Sequence, residues 1–163
     1  MVLMAIVAIG FMQGYRINTT PSYPIGIYKL NQSVSELRVG DLVAFCPRKE
    51  GVFKFSSERG YLERGICESG LEPLVKRIVA KPGDEVIVED SVSVNGVAQV
   101  NSILKAKDID GRDIPRAESQ SIEQGKFFVM SEHNPNSFDS RYFGPIPSDW
   151  IYARAEPVWV ASR

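Results

Sequence analysis

A mainly β fold of antiparallel coiled sheets with few short helices is what this sequence predicts, and three observations carry it. Short Val-, Ile- and Phe-rich runs alternate with turn formers; Gly 13 and Pro 10 are slightly high for 163 residues; and Asn95-Gly96 sits inside an alternating polar and apolar stretch, a strong hairpin signal. At roughly 100 to 200 residues per domain, the length allows one sizeable core and not two. Apolar residues at 44% and charged residues at 24% match soluble globular chains and exclude a disordered, collagenous or multi-span membrane protein. With 19 basic and 20 acidic residues the net charge is −1, so no global attraction to phosphate backbones exists and nucleic acid is not an expected partner.

The elements follow in order. Residues 1–14 contain Val2–Met12 (VLMAIVAIGFM), eleven uncharged residues. As a helix they reach only about 16 Å against a bilayer core of about 30 Å. The segment lacks the positive n-region of a signal peptide. It reads as the last part of a membrane anchor whose start lies outside this chain, the other readings being an apolar strand or helix packed on the core and an intact cleavable signal. Residues 15–163 read as a single domain. Asn18–Tyr28 (NTTPSYPIGIY) is expected to be extended, because Pro21 and Pro24 bias Thr20 and Tyr23 away from helix. Asp41–Phe45 is a strand opened by the Gly40-Asp41 turn, and one short helix is expected near Ser57–Arg64. Leu74–Ala80 (LVKRIVA) is a second strand, closed by Lys81-Pro82-Gly83-Asp84 with proline and glycine at the central positions of a type II turn. Val86–Val88 continues the sheet and Ser91–Val100 forms the hairpin. Asn101–Gly125 is polar and weakly patterned, a surface excursion or a small subdomain. Phe127–Met130 is a short buried strand, Ser131–Pro147 is dense in turn formers, and Val158–Val160 ends the chain as a strand.

Cys46 and Cys67 enclose a loop rich in charge and glycine that buries little apolar surface. A disulfide there would be worth about 3 kcal/mol by loop entropy and would imply an oxidising compartment. Two unrelated thiols fit the residues equally well. One histidine and no C-x-x-C pair give no support for a metal site.

Chemistry starts at Lys76. Strand alternation places Lys76 with Leu74, Ile78 and Ala80 on one face, and Arg77 with Val75 and Val79 on the other. Burial of a lysine amine disfavours its charged form, and a general-base lysine needs that shift, because an unperturbed one near 10.4 is almost wholly protonated at neutral pH. The bland reading is an edge lysine snorkelling to water. Ser22 is a small hydroxyl held between two prolines, with Thr20 two residues earlier. A serine nucleophile needs a base and oxyanion donors, and the Ser22 N–H and the Thr20 hydroxyl are candidates. Asn134, Asn136, Ser137, Asp139, Ser140 and Arg141 form a third polar cluster, in which Asp139 and Arg141 can pair and Ser137 can orient the lysine amine. His133 raises a rival triad of Ser22, His133 and Asp139.

The order of these pieces, Ser22 within NTTPSYPIGIY, then GDLVAF, LVKRIVAKPGD and NSFDSRYFGPIP, resembles the serine-lysine signal peptidases, and within them the TraF-type conjugative transfer peptidases. The resemblance runs from Asn18 to the C-terminus. It implies the coiled-sheet fold, Ser22 as nucleophile, Lys76 as general base and Thr20 as an oxyanion donor. It also implies Ser137 bonded to the lysine amine, and Asp139 with Arg141 bracing the site. The stretch holding Cys46 and Cys67 resembles the TraF branch, which favours the disulfide. The general branch carries S-x-S-M at the nucleophile and G-D-N after the buried strand, where this chain has Thr20-Pro21-Ser22-Tyr23 and Ser131-Glu132-His133.

The expectation is therefore a serine endopeptidase at the bacterial cytoplasmic membrane, its catalytic domain facing the periplasm, with no cofactor and no metal. Its partner would be an exported precursor with small residues one and three positions before the cut. The TraF resemblance implies a conjugative pilin, with hydrolysis or cyclisation as outcomes. Two other readings are a self-cleaving repressor-type peptidase and a non-enzymatic periplasmic β module for pilus assembly.

Overall fold

The structure is a computed structural model and describes residues 2–161. Uncharged residues form helix α1 (Val2–Met12), along which Met4, Val7, Ile9, Phe11 and Met12 are exposed. Among the described residues no helix is long and apolar enough to cross a membrane. Strands β1 (Tyr15–Asn18) and β2 (Gly26–Asn31) follow as an antiparallel hairpin with Asn18 opposite Gly26. The stretch expected to be extended is thus a hairpin whose loop carries Ser22. The prolines restrict their neighbours, but the Asn18 side chain closes the loop by donating to the carbonyls of Thr20, Tyr23 and Pro24 at 3.0 to 3.1 Å.

Strand β3 (Leu42–Phe45) is buried throughout. Helix α2 runs Gly51–Glu58, earlier than the expected Ser57–Arg64. It buries Phe53 and Ser56, and it stops because Gly60, at φ +76°, takes the left-handed conformation that ends helices. The Cys46–Cys67 disulfide is formed, with a Cα–Cα distance of 5.6 Å across a separation of 21 residues. A crosslink of that span removes about 3 kcal/mol of denatured-state entropy. The Cys46→Ser, Cys67→Ser double variant is expected to lose about that much in urea unfolding. An unchanged transition midpoint would count against the entropic account.

Strand β4 (Leu74–Ala80) leads through the Lys81–Asp84 turn, closed by Asp84 N–H donating to the Lys81 carbonyl at 3.1 Å, into β5 (Glu85–Val88). Then come β6 (Val92–Val94) and β7 (Val97–Ala98), joined at Asn95-Gly96 as the expected hairpin, with positive φ of 50° and 78° at its two turn residues. The polar excursion rejoins the sheet sooner than expected: Gln120–Ser121 is β8, paired with β5, and Ile122 behind it is buried. Strand β9 (Lys126–Met130), helical turn α3 (Ser140–Phe143), β10 (Ile146–Pro147) and β11 (Ile151–Val160) complete the chain. Only the tail of β11 was expected as strand. Its first half hides its period because the inward residues alternating with Tyr152 and Arg154 include the small Ala153 and Ala155.

All strand pairs are antiparallel, in a seven-stranded sheet ordered β1-β2-β11-β3-β4-β9-β10 and a four-stranded sheet ordered β7-β6-β5-β8. The mainly β expectation holds. Strand β9 shows why its sequence is uninterrupted apolar: Phe127 and Val129 enter the core under α2, while Phe128 and Met130 enter the core shared with the smaller sheet.

Candidate active site

Ser22 stands, half-buried, in the β1–β2 loop, and its surroundings fix the loop from several directions. Ser131 Oγ donates to the Ser22 carbonyl. Asn134 Nδ2 donates to the Pro21 carbonyl at 3.2 Å. The Thr20 hydroxyl donates to Asn18 Oδ1 at 2.8 Å, so it must rotate before it can serve an oxyanion. Asn18 is the residue that sequence reasoning missed here. Its signal was an asparagine at the mouth of a proline-rich turn.

Lys76 arises from the opposite direction, on β4, where alternation buries Lys76, Ile78 and Ala80. Its side chain is among the most enclosed in the molecule at 1% exposure. Burial pulls its pKa from 10.5 down to about 8, Asp139 pushing it back up and Arg141 lowering it further. The amine is therefore substantially neutral in mildly alkaline water, which an exposed lysine is not.

The third segment packs over both. Ser137 is buried, its N–H donating to the Asn134 carbonyl at 3.0 Å. Its hydroxyl lies 3.4 Å from Ser22 Oγ, a long contact for two hydroxyls. Among the described residues no hydrogen bond joins the Lys76 amine to Ser137 or to Ser22; apo catalytic contacts are often loose in this way. Asp139 and Arg141 are both fully buried and paired, Nε to Oδ1 at 2.8 Å and Nη2 to Oδ2 at 2.9 Å. Asp139 also caps α3 and accepts from the Ser131 N–H. Arg141 reaches the carbonyls of Asn101, Ile103, Pro135 and Ser137. Burial alone would lower the guanidinium pKa, but the Asp139 hydrogen bonds and charge raise it. The pair thus fixes the Ser137 backbone and ties the polar excursion to the site.

Thr20, Ser22, Lys76 and Ser137 line one cleft of about 740 Å³, walled by Tyr61 and Leu62 of the disulfide loop and by Lys105, Lys107 and Ile109 of the excursion. The two walls meet where the Tyr61 hydroxyl donates to Asp108. The rival triad does not assemble: the His133 ring stacks on Tyr23 at 6.3 Å, and Asp139 is committed to Arg141. Among the described residues no group of three or more His, Cys, Asp or Glu is placed to hold a metal ion.

Residues 1–160 match the family described as signal peptidase, peptidase S26. A conjugal transfer protein TraF of Agrobacterium tumefaciens (strain 15955) is 36% identical over 155 residues, covering 95% of this chain and 88% of that protein. A plasmid transfer protein TraF of Escherichia coli is 40% identical over 152 residues, covering 91% of this chain and 84% of that protein. Among solved structures, a signal peptidase I from Enterococcus faecalis V583 aligns with 75% of this chain and 98% of its own, at 21% identity and a TM-score of 0.44.

Proposed function

The chain belongs to the peptidase S26 signal peptidase family, and from that premise we propose that it is a membrane-associated serine endopeptidase whose dyad, Ser22 and Lys76, processes an exported precursor, namely a conjugative pilin. One observation carries the dyad: a serine on a tightly held turn and a buried lysine with its pKa near 8 line the same cleft. Neutral Lys76 takes the Ser22 proton as Oγ attacks the scissile carbonyl. The Ser22 N–H, with the Thr20 hydroxyl once turned from Asn18, receives the oxyanion. The lysine ammonium then protonates the leaving amine, and the acyl-enzyme is resolved by water or by the substrate's own N-terminal amine. Ser137, against the nucleophile, orients the pair, and Asp139 with Arg141 holds Ser137.

The cleft can receive an extended chain. Leu74, Val75 and Lys76 pair with β3 on one side, whereas pairing with β9 begins only at Arg77, so the other edge of these residues is free for a substrate strand. Membrane association is supported by an apolar face. Ile17, Ile27 and Trp159 stand in register across β1, β2 and β11 and are exposed at 74%, 38% and 61%, with the exposed residues of α1 preceding them in the chain. A disulfide suits an oxidising periplasm.

The test is processing of a membrane-inserted pilin precursor, read by intact mass. Ser22→Ala is expected to slow conversion by about 10⁴-fold or more. A product lighter by one further water would identify cyclisation. If Ser22→Ala processes as fast as wild type, the peptidase reading fails and a role in binding alone replaces it.

A further inference from the structure

The sheet order separates the two halves of the site. Ser22 hangs from β2 and Lys76 lies on β4, with β11 and β3 between those strands, a span of roughly 14 Å at the usual strand spacing. The backbone ladder therefore does not fix the serine over the lysine directly. Behind the site a shorter link exists, formed by the residues that follow each partner. Tyr23 and Arg77 meet on one carboxylate: the Tyr23 phenol donates to Glu132 Oε2 and Arg77 Nε donates to Glu132 Oε1. Arg77 also donates to the Gly40 carbonyl ahead of β3, and Asn101 Nδ2 donates to the Glu132 carbonyl at 2.6 Å. Tyr23 is 4% exposed, and burial together with Glu132 raises its pKa, so the phenol stays a donor.

Resting on the serine-lysine reading, we propose that Tyr23 is a positioning residue: its phenol, seated on the Glu132 carboxylate that also holds Arg77, locks the serine turn to the lysine strand. The mechanism above uses none of these three side chains, and none of them lines the substrate cleft. The link acts on the geometry of the reacting pair rather than on substrate affinity. Its loss should fall on turnover, because misplacement by about 1 Å costs on the order of 100-fold.

Tyr23→Phe tests this with the ring, its burial and its stacking on His133 retained. With the precursor in lipid vesicles at saturating concentration, kcat is expected to fall about 10-fold or more. KM should stay within about 2-fold. Glu132→Gln is expected to lower kcat at least as far, and the Tyr23→Phe, Glu132→Gln double variant to be no worse than Glu132→Gln alone, since both cut one link. Wild-type kcat in Tyr23→Phe overturns the proposal, as does a loss confined to KM, or single losses that multiply. Ser22→Ala in the same assay separates the two levels. If it stays active, the dyad and the positioning role fall together; if it is inactive while Tyr23→Phe turns over normally, only the positioning role falls.

Discussion

Lys76→Met is expected to yield a protein without turnover that is more stable than the parent at neutral pH. In the native chain the amine has a pKa near 8 because burial disfavours its charge. The unfolded chain instead binds that proton up to about 10.4. A folded-state pKa lowered in this way subtracts stability at every pH below about 8, and the penalty fades as pH rises from there towards the unfolded value. Its full size is on the order of 3 kcal/mol. Methionine fills the same space without a charge, so urea unfolding at pH 7 should show a gain approaching about 3 kcal/mol, and at pH 10.5 a gain much reduced. An identical difference at both pH values would mean that lysine ionisation is not the cause. Wild-type activity should in turn rise through about pH 8, as the base loses its proton. A profile that does not rise there would overturn Lys76 as the base.

The second large effect is expected at Asp139. Its carboxylate and the Arg141 guanidinium are both at 0% exposure, and no solvent can replace either partner. Asp139→Ala strands a buried cation, a change that costs about 3 to 5 kcal/mol. The carbonyls held by Arg141, including that of Ser137, lose their anchor with it, so activity should fall beyond what partial unfolding explains. Asp139→Leu, Arg141→Met, which removes both charges, is expected to be milder than Asp139→Ala, because breaking one partner of a buried pair is worse than deleting both. Urea unfolding of the two variants decides this. A double variant less stable than the single one would show that the pair's hydrogen bonds, and not its charge balance, hold the loop.

Period-two patterning made β4 legible, and with it that Lys76 and Arg77 face opposite ways, but not which of the two is enclosed, since both faces carry apolar neighbours and only the packing of the other segments buries Lys76. Asn95-Gly96 was legible for a local reason, since few dipeptides accept two positive φ values. The serine hairpin was not. Prolines set φ at their own positions, but whether such a stretch runs straight or folds back depends on the Asn18 side chain, which no period announces. The start of β11 was concealed for the opposite reason: alanine suffices to fill a crowded sheet interior and carries little hydrophobic signal. At the site, the residue types were readable and the contacts were not. Ser137 stands against Ser22 rather than against the lysine amine, and Glu132 gathers Tyr23 and Arg77 from distant segments, relations that exist only after the sheets have folded.

The position of β11 carries a consequence for assembly. This strand follows every other strand in the chain, yet it lies inside the large sheet, hydrogen-bonded to β2 on one side and β3 on the other. A nascent chain that has already emerged past Ser22 and Lys76 still lacks the piece that joins their two halves. Contacts of such long sequence separation form late and slowly. On the serine-lysine reading, the two reacting groups therefore come together only when the final strand slides into its slot between β2 and β3.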